Sequence, residues 1–338
     1  MTERVRLRDL GHVTGVWPTG PTNSITDVPG VRVAHLTLIE GDRTRTGATA
    51  IMPHSGNPFT DRVPAAFDAL NGYGKFAGST QIVELGEIET PILLTNTLAV
   101  GRGIEALIRW TLDQPDSADA TSINAVVGET NDSRLNDIRA ARPTVDELRR
   151  TIDLAAAQPD HASVAEGAVG AGTGTVSFGL KGGIGTSSRR VGDATAAVLV
   201  QSNFGGRLLV HGRDMSGTVA SPDGSIILIV ATDAALDARQ LRRLARRSFG
   251  GLARTGAALS HGSGDYALAF STHPARGRER MADVDLSPLF EATIEAAEEA
   301  ILNSLTMAVP MESVDPSTGE RRRVDALPLD GFRRPAGL

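Results

Sequence analysis

Ser225-Ile226-Ile227-Leu228-Ile229-Val230-Ala231-Thr232 is the most apolar, β-branched run in the chain. It lacks the polar alternation of a strand with one wet face. It therefore predicts a strand buried on both faces in the centre of a sheet. Directly before it stands Ser221-Pro222-Asp223-Gly224, a turn-forming Pro-Asp-Gly that delivers a serine to the mouth of the strand. On one reading this is a loop entering the core, with Ser225 merely tolerated. On the other, Gly224 lets the peptide bend so that the Ser225 hydroxyl attacks the carbonyl before it. Breaking the Gly224–Ser225 bond would leave Ser225 with a free α-amine, whose reference pKa is roughly 7.7–8.0. Such an amine is a general base near neutral pH, where an ordinary lysine is not, and it activates its own hydroxyl.

Outward from that strand, the pattern predicts further strands at Val31–Leu38, Ala48–Pro53, Pro91–Asn96, Asn124–Gly128, Ala194–Ser202, Arg207–Val210 and Tyr266–Ser271. Helical periodicity covers Ala99 to Leu112, Pro143 to Ala157, Asp237 to Phe249 and Glu291 to Met307. Thr144 with Glu147 three residues later forms a capping-box signature. Strands outnumber helices, and the helices fall between groups of strands. A layered α/β sandwich fits this better than regular βαβ alternation.

The 338 residues suffice for one large α/β domain, and 41% apolar content supports a sizeable core. The chain has 37 glycines but only 4% aromatic residues, so close backbone contacts and an aliphatic core are expected. A net charge of −6 gives no electrostatic footprint for nucleic acid. The basic run Arg239 to Arg247 carries Leu241, Leu244, Ala245 and Phe249 at helical spacing, so its arginines read as a solvated helix face. With no cysteine, disulfides, thiolate metal sites and a cysteine nucleophile are excluded together. The charged start Met1 to Arg8 lacks an apolar core, and no apolar run reaches membrane-spanning length. A cytoplasmic protein is expected.

Other constellations are weaker. Gly174-Thr175-Val176-Ser177-Phe178-Gly179-Leu180-Lys181 resembles a phosphate loop in glycine content but not in register. Leu180 stands where the lysine belongs, and Gly182 where a hydroxyl belongs. The seven histidines form no i, i+4 metal pair. His261 lies near Ser263, though a lone loop histidine is more often a surface residue. Glu129, Asp132 and Asp137 follow a predicted strand in an Asx-rich stretch that has structural uses of its own.

Several segments, in this order, resemble the DmpA-type aminopeptidases (peptidase family S58). That group includes the L-aminopeptidase/D-esterases and β-peptidyl aminopeptidases and, more distantly, the nylon-oligomer hydrolases. The segments are Asn23 to Val33 with Arg45 to Thr49, Gly128 to Asp132 with Leu135 to Ile138, Gly167 to Gly174 with Leu180 to Thr186, and Val198 to Gly205. Gly224 to Ile227 with Ala231 to Ala234, and Gly262 to Asp265, complete the set. The resemblance spans nearly the whole chain. It implies a four-layer α/β/β/α sandwich of N-terminal-nucleophile hydrolase kind, one domain cleaved into 1–224 and 225–338. It also implies a homo-oligomer of such pairs, with a tetramer of pairs expected, and no cofactor or metal.

By motif match, Ser225 is the nucleophile, Ser263 and Asp265 complete its network, and Asn203 helps hold the oxyanion. Glu129 and Asp132 are the candidates for anchoring a substrate's free amino group. The substrate class implied is a short peptide, or an amino-acid amide or ester, with β-residues or D-residue esters included. Some relatives carry a pocket tyrosine in the region of 129–138. Here Asn131 and Arg134 stand there, and the only tyrosines are Tyr73 and Tyr266. Two rivals remain at this level: an acyltransferase of the ornithine acetyltransferase kind, which uses threonine where this chain has serine, and an uncleaved binding or scaffold protein.

Overall fold

A computed structural model describes residues 3–216, 224–273 and 280–332. The turn residues Ser221, Pro222 and Asp223 lie outside the described residues, while Gly224 lies within them. A five-stranded sheet has the order β1 (Arg32–Glu40), β2 (Thr44–Met52), β6 (Ile92–Asn96), β7 (Val126–Thr130) and β4 (Phe76–Ala77). A six-stranded sheet has the order β10 (Ile184–Val191), β11 (Ala194–Asn203), β14 (Ser225–Thr232), β15 (Gly264–Ser271), β3 (Val63–Gly72) and β5 (Glu87–Ile88). Three small hairpins pair β8 (Val176–Ser177) with β9 (Leu180–Lys181), β12 (Leu209–Val210) with β13 (Arg213–Asp214), and β16 (Met311–Val314) with β17 (Arg321–Val324).

The strand expected to be buried on both faces is β14, and all eight of its residues are buried. Its period-two geometry splits the apolar run between two cores. Ile226, Leu228 and Val230 face one core with Leu241, Leu244, Ala297 and Leu302. Those partners come from α4 (Ala238–Arg254) and α5 (Ser287–Thr306). Ile227 and Ile229 face the other core with Ile51, Ile92, Leu94 and Val126 of the five-stranded sheet. The outer face of that sheet buries Ala50, Leu93 and Val127 against Leu107, Trp110, Leu148 and Ile152. These four come from α2 (Val100–Leu112) and α3 (Val145–Ala156), and a short α1 (Ser79–Leu85) buries Ile82. The layers thus run α/β/β/α, as expected. Fully burying each such aliphatic side chain contributes about 1.5–3 kcal/mol.

Helix boundaries follow local chemistry where it is strong. At the start of α3 the Glu147 N–H donates to Thr144 Oγ1 at 3.3 Å, and the Thr144 N–H donates to Glu147 Oε2 at 2.7 Å. Tertiary packing decides elsewhere. The α4 helix runs past Phe249 to Arg254 because Gly250 and Gly251 are spacers, not stops. A Cβ on Gly251 would lie 2.6 Å from both Ala297 Cβ and the Glu298 backbone nitrogen. Its arginines are exposed but anchored, with Arg242 and Arg246 donating to Asp68 at 3.0 and 2.6 Å. The expected amphipathic helix Glu291 to Met307 begins earlier, at Ser287, and is buried almost all round, Glu295 and Glu299 included. Only Leu209 and Val210 of the expected Arg207–Val210 strand pair in a sheet.

Candidate active site

Sheet direction brings the site together. Because β11 runs antiparallel to β14, the last residue of β11 pairs with the first of β14, Asn203 with Ser225. Because β15 runs parallel to β14, its first residue, Gly264, pairs with Ser225 from the other side. Facing them, β6 and β7 run parallel, so Glu129 stands near their C-terminal end beside Thr95. A cavity of about 460 Å³ opens at this edge, and Ser225, Asn203, Gly224, Glu129 and Gly262 help to line it.

Gly224 is needed for close approach. A Cβ there would lie 2.3 Å from the Asn203 carbonyl oxygen and 2.4 Å from the Phe204 Cα. Its carbonyl, the one next to Ser225, accepts a hydrogen bond from the Gly264 N–H at 3.2 Å. A Cβ on Gly264 would lie 3.3 Å from Ser225 Oγ, so a bare glycine there leaves room over which the hydroxyl projects. The Asn203 side chain is oriented by two bonds. The Val176 N–H donates to Oδ1 at 2.9 Å, and Nδ2 donates to the Asn131 carbonyl at 3.0 Å. An amide nitrogen carries two donors. One is thereby spent, and Asn203 lines the cavity.

Ser263 and Asp265 are both buried and in contact, with Ser263 Oγ donating to Asp265 Oδ1 at 2.6 Å. The other oxygen, Oδ2, is buried without a hydrogen-bond partner among the described residues. Burial pushes the Asp265 carboxyl above its ordinary value, and the bond from Ser263 opposes this only partly. No hydrogen bond among the described residues links this pair to the Ser225 hydroxyl.

The two candidate anchors separate. Glu129 is buried at the cavity wall, where Thr97 Oγ1 donates to one oxygen and the Lys75 N–H donates to the other at 2.9 Å. Lys75 Nζ stands 3.8 Å from the same oxygen. Asp132 is also buried but does not line the cavity. It accepts from Asn136 Nδ2 at 3.0 Å, and burial pushes its carboxyl up to about 7 against the bonds from Thr46 and Asn136. Its charged neighbour is Lys181, the lysine of the glycine-rich stretch. Lys181 is fully buried and donates to the carbonyls of Gly172, Thr175 and Gly182 at 2.9, 2.9 and 2.6 Å. The ammonium of the would-be phosphate loop is thus spent on its own backbone.

The region of 129–138 has no tyrosine, but Tyr73 supplies one to the cavity from the end of β3. Its N–H donates to the Ser263 carbonyl at 3.2 Å, which ties it to the serine pair. Tyr73, Lys75 and Thr97 are cavity residues that the motifs did not mark. Their only sequence signal is position at strand ends. His261 does not line the cavity; its carbonyl accepts from Asn71 Nδ2 at 3.0 Å. Among the described residues no cluster of His, Asp and Glu could hold a metal ion, and no helix is long and apolar enough to cross a membrane.

A serine heading the central strand of an α/β/β/α sandwich, flanked by an oriented amide and a backbone N–H, is the arrangement of a serine hydrolase with an N-terminal nucleophile. The chain belongs to peptidase family S58, whose model matches residues 23–318, and it is an aminopeptidase. It is 37% identical to the β-peptidyl aminopeptidase BapA of Sphingosinicella microcystinivorans, over 94% of this chain and 90% of that protein. Among solved structures, a Burkholderia sp. β-aminopeptidase matches with a TM-score of 0.86 and 38% identity, over 97% of each chain. The L-aminopeptidase D-Ala-esterase/amidase of Ochrobactrum anthropi, described as a variant of the Ntn hydrolase fold, matches with a TM-score of 0.85 and 34% identity over 96% of each chain.

Proposed function

We propose that the chain cleaves its own Gly224–Ser225 bond and then removes N-terminal residues from short peptides, amides or esters, β-residues included, through the freed Ser225. One observation carries this reading: the register Asn203–Ser225–Gly264 gathers a hydroxyl, an amide donor and a backbone N–H at the cavity holding buried Glu129. In self-cleavage, Ser225 Oγ attacks the Gly224 carbonyl carbon while the Gly264 N–H stabilises its oxygen. The acyl group shifts from nitrogen to oxygen, and water hydrolyses the ester. This leaves the Gly224 carboxylate and the Ser225 α-amine.

In turnover, a substrate carbonyl takes the place of that of Gly224. The α-amine accepts the Oγ proton and passes it to the leaving amine or alcohol, and water then releases the acyl group. Ser263 and Asp265 position the α-amine, Asn203 and Gly264 hold the oxyanion, and Glu129 takes the substrate ammonium. Asp132 serves with Lys181 to brace the wall behind. Several cleaved pairs associate into a homo-oligomer, which sedimentation would measure; a single pair in solution contradicts that part.

Intact-mass analysis tests the core of the reading. Wild type should give fragments 1–224 and 225–338, while Ser225→Ala should stay full length and fail to hydrolyse amino-acid p-nitroanilides. Activity in a chain that remains uncleaved would overturn the N-terminal-serine mechanism. A panel of α-, β- and D-residue amides and esters would then define the acyl side.

A further inference from the structure

One exposed stretch of the cavity's lining is cationic. Ser133 and Arg134, both exposed, line the catalytic cavity and also an adjoining open cavity of about 660 Å³ with Arg321, Arg322 and Arg323 of β17. The hairpin is fixed to the loop. Arg322 Nη1 donates to the carbonyls of Ser133 and Arg134 at 3.4 and 3.2 Å, while its other nitrogen pairs with Asp315. The Val314 N–H donates to the Asp42 carbonyl at 2.8 Å, and Arg45 Nε donates to the Glu312 carbonyl at 2.6 Å. Arg323 is neutralised by Glu312 and Asp325, at 2.6 and 2.7 Å. Arg134 and Arg321 have no carboxylate partner among the described residues. A chain of net charge −6 therefore presents two guanidinium groups without a carboxylate partner among the described residues, Arg134 at the catalytic cavity and Arg321 in the adjoining one.

An exopeptidase that buries the substrate ammonium must send the remainder of the substrate outward. Glu129 marks the closed end and Ser225 the point of attack, so the leaving portion emerges at the exposed rim. One residue of extended chain spans about 3.3–3.6 Å, so the free carboxylate of a dipeptide or tripeptide stays within a few residues' reach of Ser225, and Arg134 is an exposed cation lining the same cavity. Guanidinium groups match carboxylates in charge and in fork geometry. Building on the aminopeptidase reading, we infer that Arg134 and Arg321 form a leaving-side subsite for the C-terminal carboxylate, so that short free peptides are preferred over their amides.

The test compares alanyl-leucine and β-alanyl-leucine with their C-terminal amides, in the cleaved wild-type enzyme and in Arg134→Gln, Arg321→Gln and the double variant. Alanine and β-alanine p-nitroanilides normalise for catalytic competence. Wild type should favour the free acid by about tenfold in kcat/KM, mostly through KM, as for a charge-assisted hydrogen bond. High salt should reduce that ratio, and the double variant should bring it near one, with Arg134→Lys retaining part of it. An acid-to-amide ratio near one in wild type overturns the inference, as does a ratio that survives in the double variant. A double variant that changes only the sedimentation coefficient assigns the rim to contacts between copies and also overturns it. Wild type that hydrolyses neither p-nitroanilide would instead sink the aminopeptidase reading beneath it.

Discussion

Two buried ionic clusters sit on the same six-stranded sheet, and they differ in what they leave unpaired. Around Arg189 of β10 every guanidinium nitrogen of that arginine is used, and the buried atom without a partner among the described residues is Nη2 of the peripheral Arg8. Its guanidinium bonds Glu295 at 3.1 Å and Glu299 at 2.7 Å, and also Thr14, Ser187 and the Ser188 carbonyl. Glu299 in turn accepts from Arg8 at 2.8 Å, Thr14 at 2.9 Å and Asn23 at 2.6 Å. Around Asp265 one oxygen accepts from Ser263 and the other has no partner among the described residues. A closed set of charges joins α5 and the N-terminal segment to the sheet. An open one keeps a buried acceptor in reserve, and the proposed function assigns that acceptor to the α-ammonium that cleavage would free.

The largest effect should come from breaking the closed cluster. Arg189→Met leaves Glu295 buried without a cation and Glu299 with Arg8 alone, and should cost about 3–5 kcal/mol of stability. Thermal or denaturant unfolding measures this, while kcat per folded molecule stays near wild type. A marked fall in kcat at unchanged stability would erase the contrast between the clusters.

Asn203 sharpens the other side. Asn203→Ala should lower kcat by about 10²–10³ in the cleaved enzyme, with KM little changed. It also strips the buried Val176 N–H of its acceptor, which adds about 1–3 kcal/mol of destabilisation. Asn203→Asp keeps that acceptor and removes the donor, so it should lose rate without the same loss of stability. Near-wild-type kcat in both variants would remove Asn203 from the oxyanion site.

Asp265→Asn keeps size and removes charge. It should lower kcat by about tenfold and move the acid limb of the pH–rate profile, the cost of roughly one pKa unit in the group it supports. Unlike the Arg189 variant it should not destabilise the fold, because the charge removed was never fully compensated. Unfolding curves and pH–rate profiles on the same preparation separate these outcomes.

Legibility in the sequence follows the same division. The strand at 225–232 and its serine are readable because burial on both faces leaves an uninterrupted apolar run. The pairing that makes the site is not readable in this way. It arises from β11 lying antiparallel and β15 parallel to one central strand, and motif resemblance alone brought Asn203, Ser263 and Asp265 into view. Two long strands escape the pattern altogether. Ile184–Val191 reads as polar because it carries Arg189 and three hydroxyl residues whose partners come from distant segments. Val63–Gly72 carries Pro64 and small residues, with Pro64 on the side paired only to the short edge strand β5. Tyr73, Lys75 and Thr97 reach the cavity from strand ends with no motif of their own. The arginine hairpin is adjacent to the Ser133–Arg134 segment only in three dimensions.

The smallest effect, and the one that tests the comparison by sign, is the pH dependence of stability. Burial raises the Asp265 pKa in the folded chain, against a reference of about 3.9 for an unfolded aspartate. The folded state therefore holds this proton more tightly than the unfolded state. Its favourable contribution is present below the unfolded pKa and is lost as pH rises through the folded one. Glu299 behaves oppositely. Burial pushes its pKa up, but Arg189, Arg8 and Asn23 outweigh burial and hold it below the ordinary value. Its contribution is present above the unfolded value of about 4.3 and fades as pH falls through the lower, folded pKa. Differencing stability–pH curves isolates the two. Relative to wild type, Asp265→Asn should gain stability as pH rises from acid toward neutral, since it removes a carboxylate whose ionisation is penalised. Glu299→Gln should lose most at neutral pH and approach wild type in acid. Curves for the ionic-strength-matched, Ser225→Ala full-length chain avoid any contribution from processing. If both difference curves slope the same way, the two clusters are not opposites, and the unpaired oxygen of Asp265 has to be read as an ordinary buried acceptor.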